Sequence, residues 1–334
     1  MIKTSRNFLR LAVSCALVAA AGTGLVAQAQ GNSSTAAYPD RPIRIIVPYP
    51  PGGTTDPVAR LLAADIGPRL GQAVIVDNRA GAAGSIGTEA VVRSPADGYT
   101  LLLHTSAIAT DPSFKKNLNY NVRKDLAPLM LAVTGAYMVV VNPSLPVKNV
   151  NELIAYAKAN PGKLNYGSAG QGSSGHLIGE LFKRSAGIDM IHVPYKGGGP
   201  SIAGLVGNEV QVLFDTVNSS GPLVKDGKLR AIAITSPQRL ATWPDLPAVN
   251  ESDVKNFSVL FWIGLFAPAR TPAPIIDKLY AALHATLETP TFKERLVGMG
   301  MSADGRSPAE FGGVLDADIL QWKSVIESAR IEQQ

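Results

Sequence analysis

The 334-residue chain has a single cysteine, Cys15, and four histidines, at positions 104, 176, 192 and 284. With one thiol, the chain can form no internal disulfide and no cluster of thiolates for a metal. The histidines are scattered, and the sequence contains neither H-E-x-x-H nor another carboxylate and histidine cluster. These absences give no support for a metal or another cofactor, and none is predicted.

An excess of charge of one sign is also lacking. The first 29 residues contain three basic residues and no acidic one, so the rest of the chain has 28 Lys and Arg against 26 Asp and Glu, a formal charge of +2. The sequence pI of about 9.2 therefore overstates the basic character of that part. No nucleic-acid surface is predicted. A phosphate-binding G-K-[ST] motif is missing as well, because Gly162-Lys163 and Gly227-Lys228 are each followed by leucine.

The N-terminus has the pattern of a secretory signal peptide. Basic residues at positions 3, 6 and 10 precede an apolar run at residues 11–26, and Ala27-Gln28-Ala29 has the small-x-small pattern of a cleavage site. The apolar run is short for a membrane span and is soon followed by polar residues. We predict export to the periplasm, with cleavage after Ala29.

Glycine is plentiful, and two glycine-rich stretches look alike. In each, an apolar strand leads through a turn into a helix: IRIIVPYPPGGTTDPVARLLAADI at residues 43–66 and KLNYGSAGQGSSGHLIGELFKR at residues 163–184. The N–H groups of a helix's first turn lack partners within the helix and favour anions. Neither turn contains lysine or arginine, so an anion would be held by backbone amides, hydroxyls and helix dipoles.

The candidate groups in these two turns are glycines that permit close backbone approach and hydroxyls that donate hydrogen bonds. They are Gly52, Gly53, Gly170, Gly172, Thr54, Thr55, Ser168, Ser173 and Ser174. Asp56 is interpreted as a cap of the first helix. Two such turns facing each other would hold a carboxylate, although each alone is also compatible with an ordinary strand-to-helix turn.

Strands and helices alternate along the chain. Strands are predicted at residues 43–49, 73–77, 99–104, 137–141, 164–167, 190–194, 210–215 and 229–234, and an apolar run at 259–267. Helices are predicted at residues 56–70, 83–93, 151–159, 176–184, 200–206, 273–288, 290–299 and 308–329. This alternation predicts an α/β fold with two mostly parallel sheets flanked by helices.

Residues 43–106 and 137–236 each look like a complete α/β unit, and the C-terminal helices complete the first. We therefore predict a discontinuous first domain at residues 30–141 and 255–334 and an inserted second domain at residues 142–254. The two crossings would lie near Val141 and Val254. A ligand is expected between the domains, at the carboxyl ends of the strands.

Two enzyme motifs are alternatives. Residues 170–175, GQGSSG, fit G-x-G-x-x-G, but Asp189, the acidic residue about 20 positions on, begins a strand instead of ending one. Residues 83–87, AGSIG, are similar to the nucleophile elbow of serine hydrolases, with Ser85 as nucleophile. His284, the late histidine, lies in a predicted helix. An exported serine hydrolase is therefore the alternative function, and no enzymatic activity is predicted.

Long stretches of the chain also match a known family pattern. They are YPDRPIRIIVPYPPGGTTDPVARLLA, VDNRAGAAGSIGTEAVVRSPADGYTLLL, NYGSAGQGSSGHLIGELFKRSAGIDMIHVPYKGGGPSIAGLVGNEVQVLFDT and GKLRAIAITSPQR, in that order. Residues 38–330 thereby resemble the solute-binding proteins of tripartite tricarboxylate transporters, the Bug family. The resemblance implies a two-domain periplasmic binding protein of type II, a Venus flytrap that closes on a small carboxylate held by bridging waters and two strand-to-helix turns.

The resemblance also implies ligand-binding residues and partners. By position, the residues are Tyr49, Pro50, Gly52, Gly53, Thr54, Thr55, His104, Thr105, Ser106, Ser168, Ala169, Gly172, Ser173, His176, Tyr195, Lys196, Asp215 and Thr216. The implied partners are the membrane subunits of a transporter, and a sensor that presents ligand to a receptor is an alternative. A monomer is predicted. The stretch HTSAIATDPSF, residues 104–114, departs from the common pattern, which has glycine first and asparagine in place of Asp111.

The predicted ligand is a dicarboxylate, a tricarboxylate or an aromatic acid without an amine. Asp215, at the end of the strand VQVLF, could pair with the amine of an acidic amino acid. It is interpreted instead as a cap that orders the cleft wall. Neutral groups at Tyr49, Ala107, Ile108 and Tyr195 are expected near the cleft.

Overall fold

Ten strands and eleven α-helices form the parts of the chain that the structure, a computed structural model, describes, residues 38–52 and 54–333. The strands are β1 (Ile43–Val47), β2 (Val74–Asn78), β3 (Thr100–Thr105), β4 (Leu126–Val141), β5 (Asn165–Ser168), β6 (Ile191–Pro194), β7 (Val212–Thr216), β8 (Arg230–Ile234), β9 (Leu260–Pro268) and β10 (Ser302–Arg306). The helices are α1 (Thr55–Leu70), α2 (Ser85–Val92), α3 (Asp111–Phe114), α4 (Val122–Asp125), α5 (Val150–Ala159), α6 (Ser174–Ala186), α7 (Gly198–Val206), α8 (Val217–Lys225), α9 (Ala273–Leu287), α10 (Pro290–Gly298) and α11 (Pro308–Ser328).

The strands form two sheets that share β4. In the first sheet the order is β2-β1-β3-β9-β4, and β10 also pairs with β4. In the second the order is β4-β7-β5-β6, and β8 also pairs with β4. The outer strands of each sheet run parallel, as in β2-β1-β3 and β7-β5-β6, whereas the pairs made by β4 and β9 are antiparallel.

The shared strand passes from one sheet to the other at Tyr137. Residues 126–136 pair with β9, and residues 137–141 pair with β7. The chain returns at Thr235, whose hydroxyl donates to the Val259 carbonyl at 2.6 Å and accepts from the Tyr137 N–H at 3.0 Å. The two passages between the sheets therefore lie side by side, and the predicted crossings near Val141 and Val254 stay a prediction. The division into two domains itself stays a prediction.

The predicted elements are present, and their ends agree within two residues except at the start of β4, but the sheets are less parallel than expected. Residues 126–136 of β4 lie in a region that the sequence left unassigned, and α3, α4, β10 and α8 were not predicted. β10 has the sequence SADGR, which lacks an apolar strand pattern, and α8 begins with VNSSGP, whose serine, glycine and proline are typical of turns. β10 pairs with β4, and α8 packs against β4 and β7, so tertiary contacts stabilise both elements.

An aromatic cluster packs α11 against the first sheet. The buried Phe311 ring lies 5.0 Å from the Trp262 ring and 4.9 Å from the Phe266 ring. Trp262 also donates its indole N–H to Asp318 at 2.6 Å. Gly264 leaves the space that the ring occupies, because a Cβ there would lie 2.2 Å from Phe311 Cζ. The sequence predicts this buried face of α11, because Phe311, Leu315 and Trp322 recur at helical spacing.

The predicted signal peptide lies outside the described residues, and so does Gly53. Within the described part of the chain, no helix combines the length and the apolar character needed to cross a membrane.

Two glycine substitutions should change the stability of the first sheet in opposite directions. Gly264→Ala should lower the free energy of unfolding by about 1–3 kcal/mol, because the methyl group overpacks against Phe311. Gly313→Ala on the exposed face of α11 has open space and should raise it by about 0.5–1 kcal/mol. Urea unfolding measures both. Equal midpoints for the two variants would contradict this packing.

Candidate functional site

The turn between β1 and α1, the β1–α1 turn, is held by its own polar groups. The buried Asp56 accepts the Gly52 N–H at 3.2 Å and pairs with Arg60 at 3.0 Å. Hydrogen bonds from Arg60 outweigh burial and lower the pKa of Asp56. The prediction that Asp56 caps the first turn of α1 is wrong, because its carboxylate bonds instead to Gly52, which precedes the helix and has a φ of +82° that suits glycine. Its N–H is engaged in this structure.

Side chains at the ends of β1 and β3 form a small hydrogen-bonded cluster. The Tyr49 hydroxyl lies 2.9 Å from Thr105 Oγ1 and 3.4 Å from Nδ1 of the fully buried His104. That nitrogen donates to the Thr105 carbonyl at 2.9 Å, so the imidazole is the Nδ1–H tautomer and its Nε2, beside Gly84, is bare. Burial lowers the pKa of His104 and raises that of Tyr49, so both are neutral.

Lys115 joins the loop before α2, which contains residues 82–84, to the start of α3. Lys115 Nζ lies 2.8 Å from Asp111 Oδ1 and donates to Ser85 Oγ at 2.8 Å and to the Ala83 carbonyl at 3.1 Å. Ala82 and Ala83 both have positive φ, +46° and +49°, which costs non-glycine residues about 1–2 kcal/mol each. The three ammonium hydrogens of Lys115 are all engaged, so it offers none to a ligand.

The same contacts bear on the serine hydrolase alternative. Ser85 Oγ accepts from Lys115, whose Nζ also contacts Asp111 and the Ala83 carbonyl. A lysine that donates to the serine oxygen is not oriented to accept the serine proton. His284 lies on α9, with its ring 5.5 Å from that of Tyr280. Neither Lys115 nor His284 is therefore placed as a general base for Ser85.

The turn between β5 and α6, the β5–α6 turn, contains two glycines in backbone conformations that favour glycine. Gly170 and Gly172 have φ of +132° and +75°. Ser168 Oγ bonds with both the N–H and the carbonyl of Gly170, at 3.1 and 3.0 Å. The Gly172 N–H donates to Nδ1 of His176 at 3.0 Å. The Ser173 Oγ atom is buried and has no hydrogen-bond partner among the described residues.

The loops after β6 and β7 adjoin this turn. The Tyr195 N–H donates to the Ser168 carbonyl at 3.0 Å, and the Gly197 N–H donates to the Ala169 carbonyl at 3.1 Å. The Tyr195 hydroxyl points elsewhere, since it donates to Glu209 at 3.0 Å. Backbone atoms of this loop, not the phenol, therefore lie against the turn.

Asp215 and Thr216 end β7 and begin α8. Asp215 accepts from the Ser220 hydroxyl at 2.6 Å and from the Thr216 N–H, while burial raises its pKa. Thr216 Oγ1 lies 2.8 Å from Ser219 Oγ. Asp215 therefore has the capping geometry that the sequence analysis favoured.

Two aromatic residues that the sequence analysis did not select connect the two sheets at this place. The Tyr137 hydroxyl has hydrogen-bonding neighbours in Ser106 and Ser174, and burial raises its pKa to about 12. The Phe114 ring covers Gly172, where a Cβ would lie 2.0 Å from Cζ. Tyr137 lies in an apolar stretch, in which nothing local distinguishes a cleft residue from a core residue, and Phe114 meets Gly172 only through the tertiary fold.

The structure thus brings most of the predicted residues into two groups. Tyr49, His104 and Thr105 form one group, and the second contains Ser168, Ala169, Gly172, Ser173, His176, Asp215, Thr216 and the backbone of Tyr195. Thr55 is buried at the start of α1, Ser106 lies beside Tyr137, and Pro50, Thr54 and Lys196 are exposed. In the described ranges, no three His, Cys, Asp or Glu side chains cluster to hold a metal. The ligand-binding role of these residues stays a prediction.

Solved structures are similar to the chain over most of its length. Periplasmic binding protein BugD is 36% identical, with a TM-score of 0.72, over 89% of this chain and 100% of its own. An R. palustris protein solved with adipate is 33% identical, with a TM-score of 0.76, over 89% and 100%. MatC from Rhodopseudomonas palustris, with bound malate, is 30% identical, with a TM-score of 0.71, over 86% and 100%. The predicted periplasmic binding protein fold is confirmed.

The family comparison agrees with the structures. Residues 58–331 match the family described as tripartite tricarboxylate transporter family receptor. The match includes all of the helices and strands from α2 to α11. The chain therefore belongs to the tripartite tricarboxylate transporter receptor family, and it is a solute-binding protein of the Bug type.

Proposed function

We propose that this protein captures a small organic carboxylate between the β1–α1 and β5–α6 turns. The observation that carries the proposal is the Ser173 hydroxyl, which is buried at the N-terminus of α6 and has no partner in the described chain. Burying a hydroxyl without a hydrogen bond costs free energy, so a ligand acceptor there is favourable. The helix dipole and the free N–H groups of α6 make that acceptor an anion.

Neutral donors surround this position. Tyr137 and Ser174, the residue after Ser173, contribute neutral hydroxyls, and His104 and Tyr49 in the first group are uncharged. Lys115 has its hydrogens engaged by Asp111, Ser85 and Ala83. A carboxylate held by hydroxyls and amides alone can leave again readily, which suits a protein that delivers its ligand.

The ligand class follows from the relatives and from Asp215. The two relatives described above were solved with adipate and malate, both dicarboxylates. The Asp215 carboxylate already accepts from Ser220 and the Thr216 N–H, so an amine would have to compete with these bonds for its preferred directions. We therefore favour a dicarboxylate, with a tricarboxylate or an aromatic acid as the related choices, and an amine-free ligand in each case.

Delivery is the remaining part of the proposal. The family name implies that the ligand passes to the membrane subunits of a tripartite transporter. We propose that the protein acts there as a monomer in the periplasm, after cleavage of the N-terminal segment following Ala29. The serine hydrolase alternative gains no support, because Ser85 accepts from Lys115 and the late histidine, His284, lies on α9 beside Tyr280.

The ligand proposal predicts selective stabilisation by amine-free carboxylates. Succinate, malate or adipate at a hundredfold excess over its dissociation constant should stabilise the mature protein by about 2.7 kcal/mol. Aspartate and glutamate should do less, because Asp215 is occupied by Ser220. Thermal shifts measure this. Stabilisation by the amino acids alone, abolished in Asp215→Asn, would contradict it.

A matched pair of serine variants tests the position of the ligand. Ser173→Ala should weaken binding tenfold or more, since a hydrogen bond to a charged group contributes about 1.5–3 kcal/mol. Ser201 in α7 also has a buried Oγ without a partner in the described chain, yet it lies behind the turn, beside Gly167. Ser201→Ala should leave affinity unchanged. Titration calorimetry compares the two, and equal affinities in both variants and the wild type would refute the site.

A further inference from the structure

Two histidines stack face to face behind the β5–α6 turn. The ring centroids of His176 on α6 and His192 on β6 lie 3.8 Å apart, with 5° between the ring planes. The Tyr166 ring of β5 lies 5.0 Å from His192 and 6.5 Å from His176. Two positive charges at that separation in a partly buried site repel each other strongly. The stacked arrangement therefore requires that at least one ring be neutral.

Each ring also holds part of the β5–α6 turn. The Gly172 N–H donates to Nδ1 of His176 at 3.0 Å, so this nitrogen carries no proton. Nε2 of His192 lies 2.7 Å from Ser168 Oγ, whose single hydrogen is directed to the Gly170 carbonyl. Ser168 Oγ then accepts from Nε2–H of His192, as it does from the Gly170 N–H. Two neutral imidazoles satisfy all of these contacts.

The charged groups that face the pair lie on the elements packed around it. Glu180 of α6 accepts from Tyr166 of β5 at 2.6 Å and from Lys183 at 3.0 Å, and Lys183 is 3.6 Å from Asp189. Burial lowers the pKa of both histidines. His176 and Lys183 add to this effect at His192 and bring its pKa to about 4. At His176, Glu180 raises the pKa and Lys183 lowers it.

We propose that His176 and His192 are positioning residues of the β5–α6 turn, which keeps its ligand-binding shape only while His176 is neutral, so that acid releases the ligand. The inference rests on the proposed function of this turn. A proton on Nδ1 of His176 turns the acceptor of the Gly172 N–H into a second donor. The hydrogen bond is lost, and Gly172 and the adjoining Ser173 are no longer held in place.

The direction of the pH dependence follows from proton linkage. The folded turn excludes a proton from histidines whose ordinary pKa is 6.5. Its stabilisation is therefore complete above that pH and declines as the pH falls toward about 4. Ligand affinity should decline over the same window, by up to about tenfold per pH unit for each proton excluded.

A double variant that keeps the hydrogen bonds but cannot titrate tests this. In His176→Asn, Oδ1 stands where Nδ1 accepts, and in His192→Gln, Nε2 stands where the ring nitrogen donates. The measured quantity is the ratio of malate affinities at pH 7.5 and pH 4.5, by calorimetry. The ratio should be at least about fivefold smaller in H176N/H192Q than in the wild type. Protonation of malate itself is common to both proteins. His284→Gln, on α9, should keep the wild-type ratio.

A second measurement needs no ligand. In the wild type, the NMR resonance of the Gly172 amide should move with the titration of His176, and in H176N/H192Q it should stay constant between pH 7.5 and pH 4.5. If malate fails to bind the wild type at pH 7.5, the proposed ligand class is wrong and the Gly172 titration alone decides the inference. Equal affinity ratios in the wild type and the double variant, or a Gly172 resonance that does not follow His176, would overturn it.

Discussion

The hydrogen bonds of strand β4 join the two sheets, and the rest of the structure depends on that strand. Residues 126–136 pair with β9, residues 137–141 pair with β7, and the strand is buried along most of its length. A strand covered on both faces needs a continuous apolar sequence, which LAPLMLAVTGAYMVVV supplies. Thr235, where the chain passes back to the first sheet, bonds to the N–H and the carbonyl of Tyr137. Tyr137 therefore lies at the junction of the two sheets.

Local signals carried most of the sequence prediction. The turns PPGGTTD and SAGQGSSGH were recognisable because their glycines adopt backbone angles that other residues avoid, as Gly52, Gly170 and Gly172 do. Asp215 could be interpreted in the same way, since it bonds to residues a few positions away, whereas Asp56 bonds to Gly52 and not to the first turn of α1. The family and the fold class followed from motifs that combine such turns.

Long-range contacts explain what the sequence did not show. Lys115 contacts Ser85 and Ala83, which lie about thirty positions earlier in the chain. The serines beside the Tyr137 hydroxyl, Ser106 and Ser174, follow strands of two different sheets. His192 looked like an ordinary strand residue, because its stacking on His176 depends on the pairing of β5 with β6. The hydrogen-bonded cluster of Tyr49, His104 and Thr105 likewise depends on the parallel pairing of β1 with β3.

The central claim is that a carboxylate binds at the N-terminus of α6, beside the Ser173 hydroxyl and above Tyr137. A crystal structure of the mature protein with a bound dicarboxylate tests it most directly. We expect a carboxylate oxygen within about 3 Å of Ser173 Oγ, with the Gly172 N–H still bonded to His176. A ligand bound elsewhere, with Ser173 Oγ bonded only to protein atoms, would contradict the account.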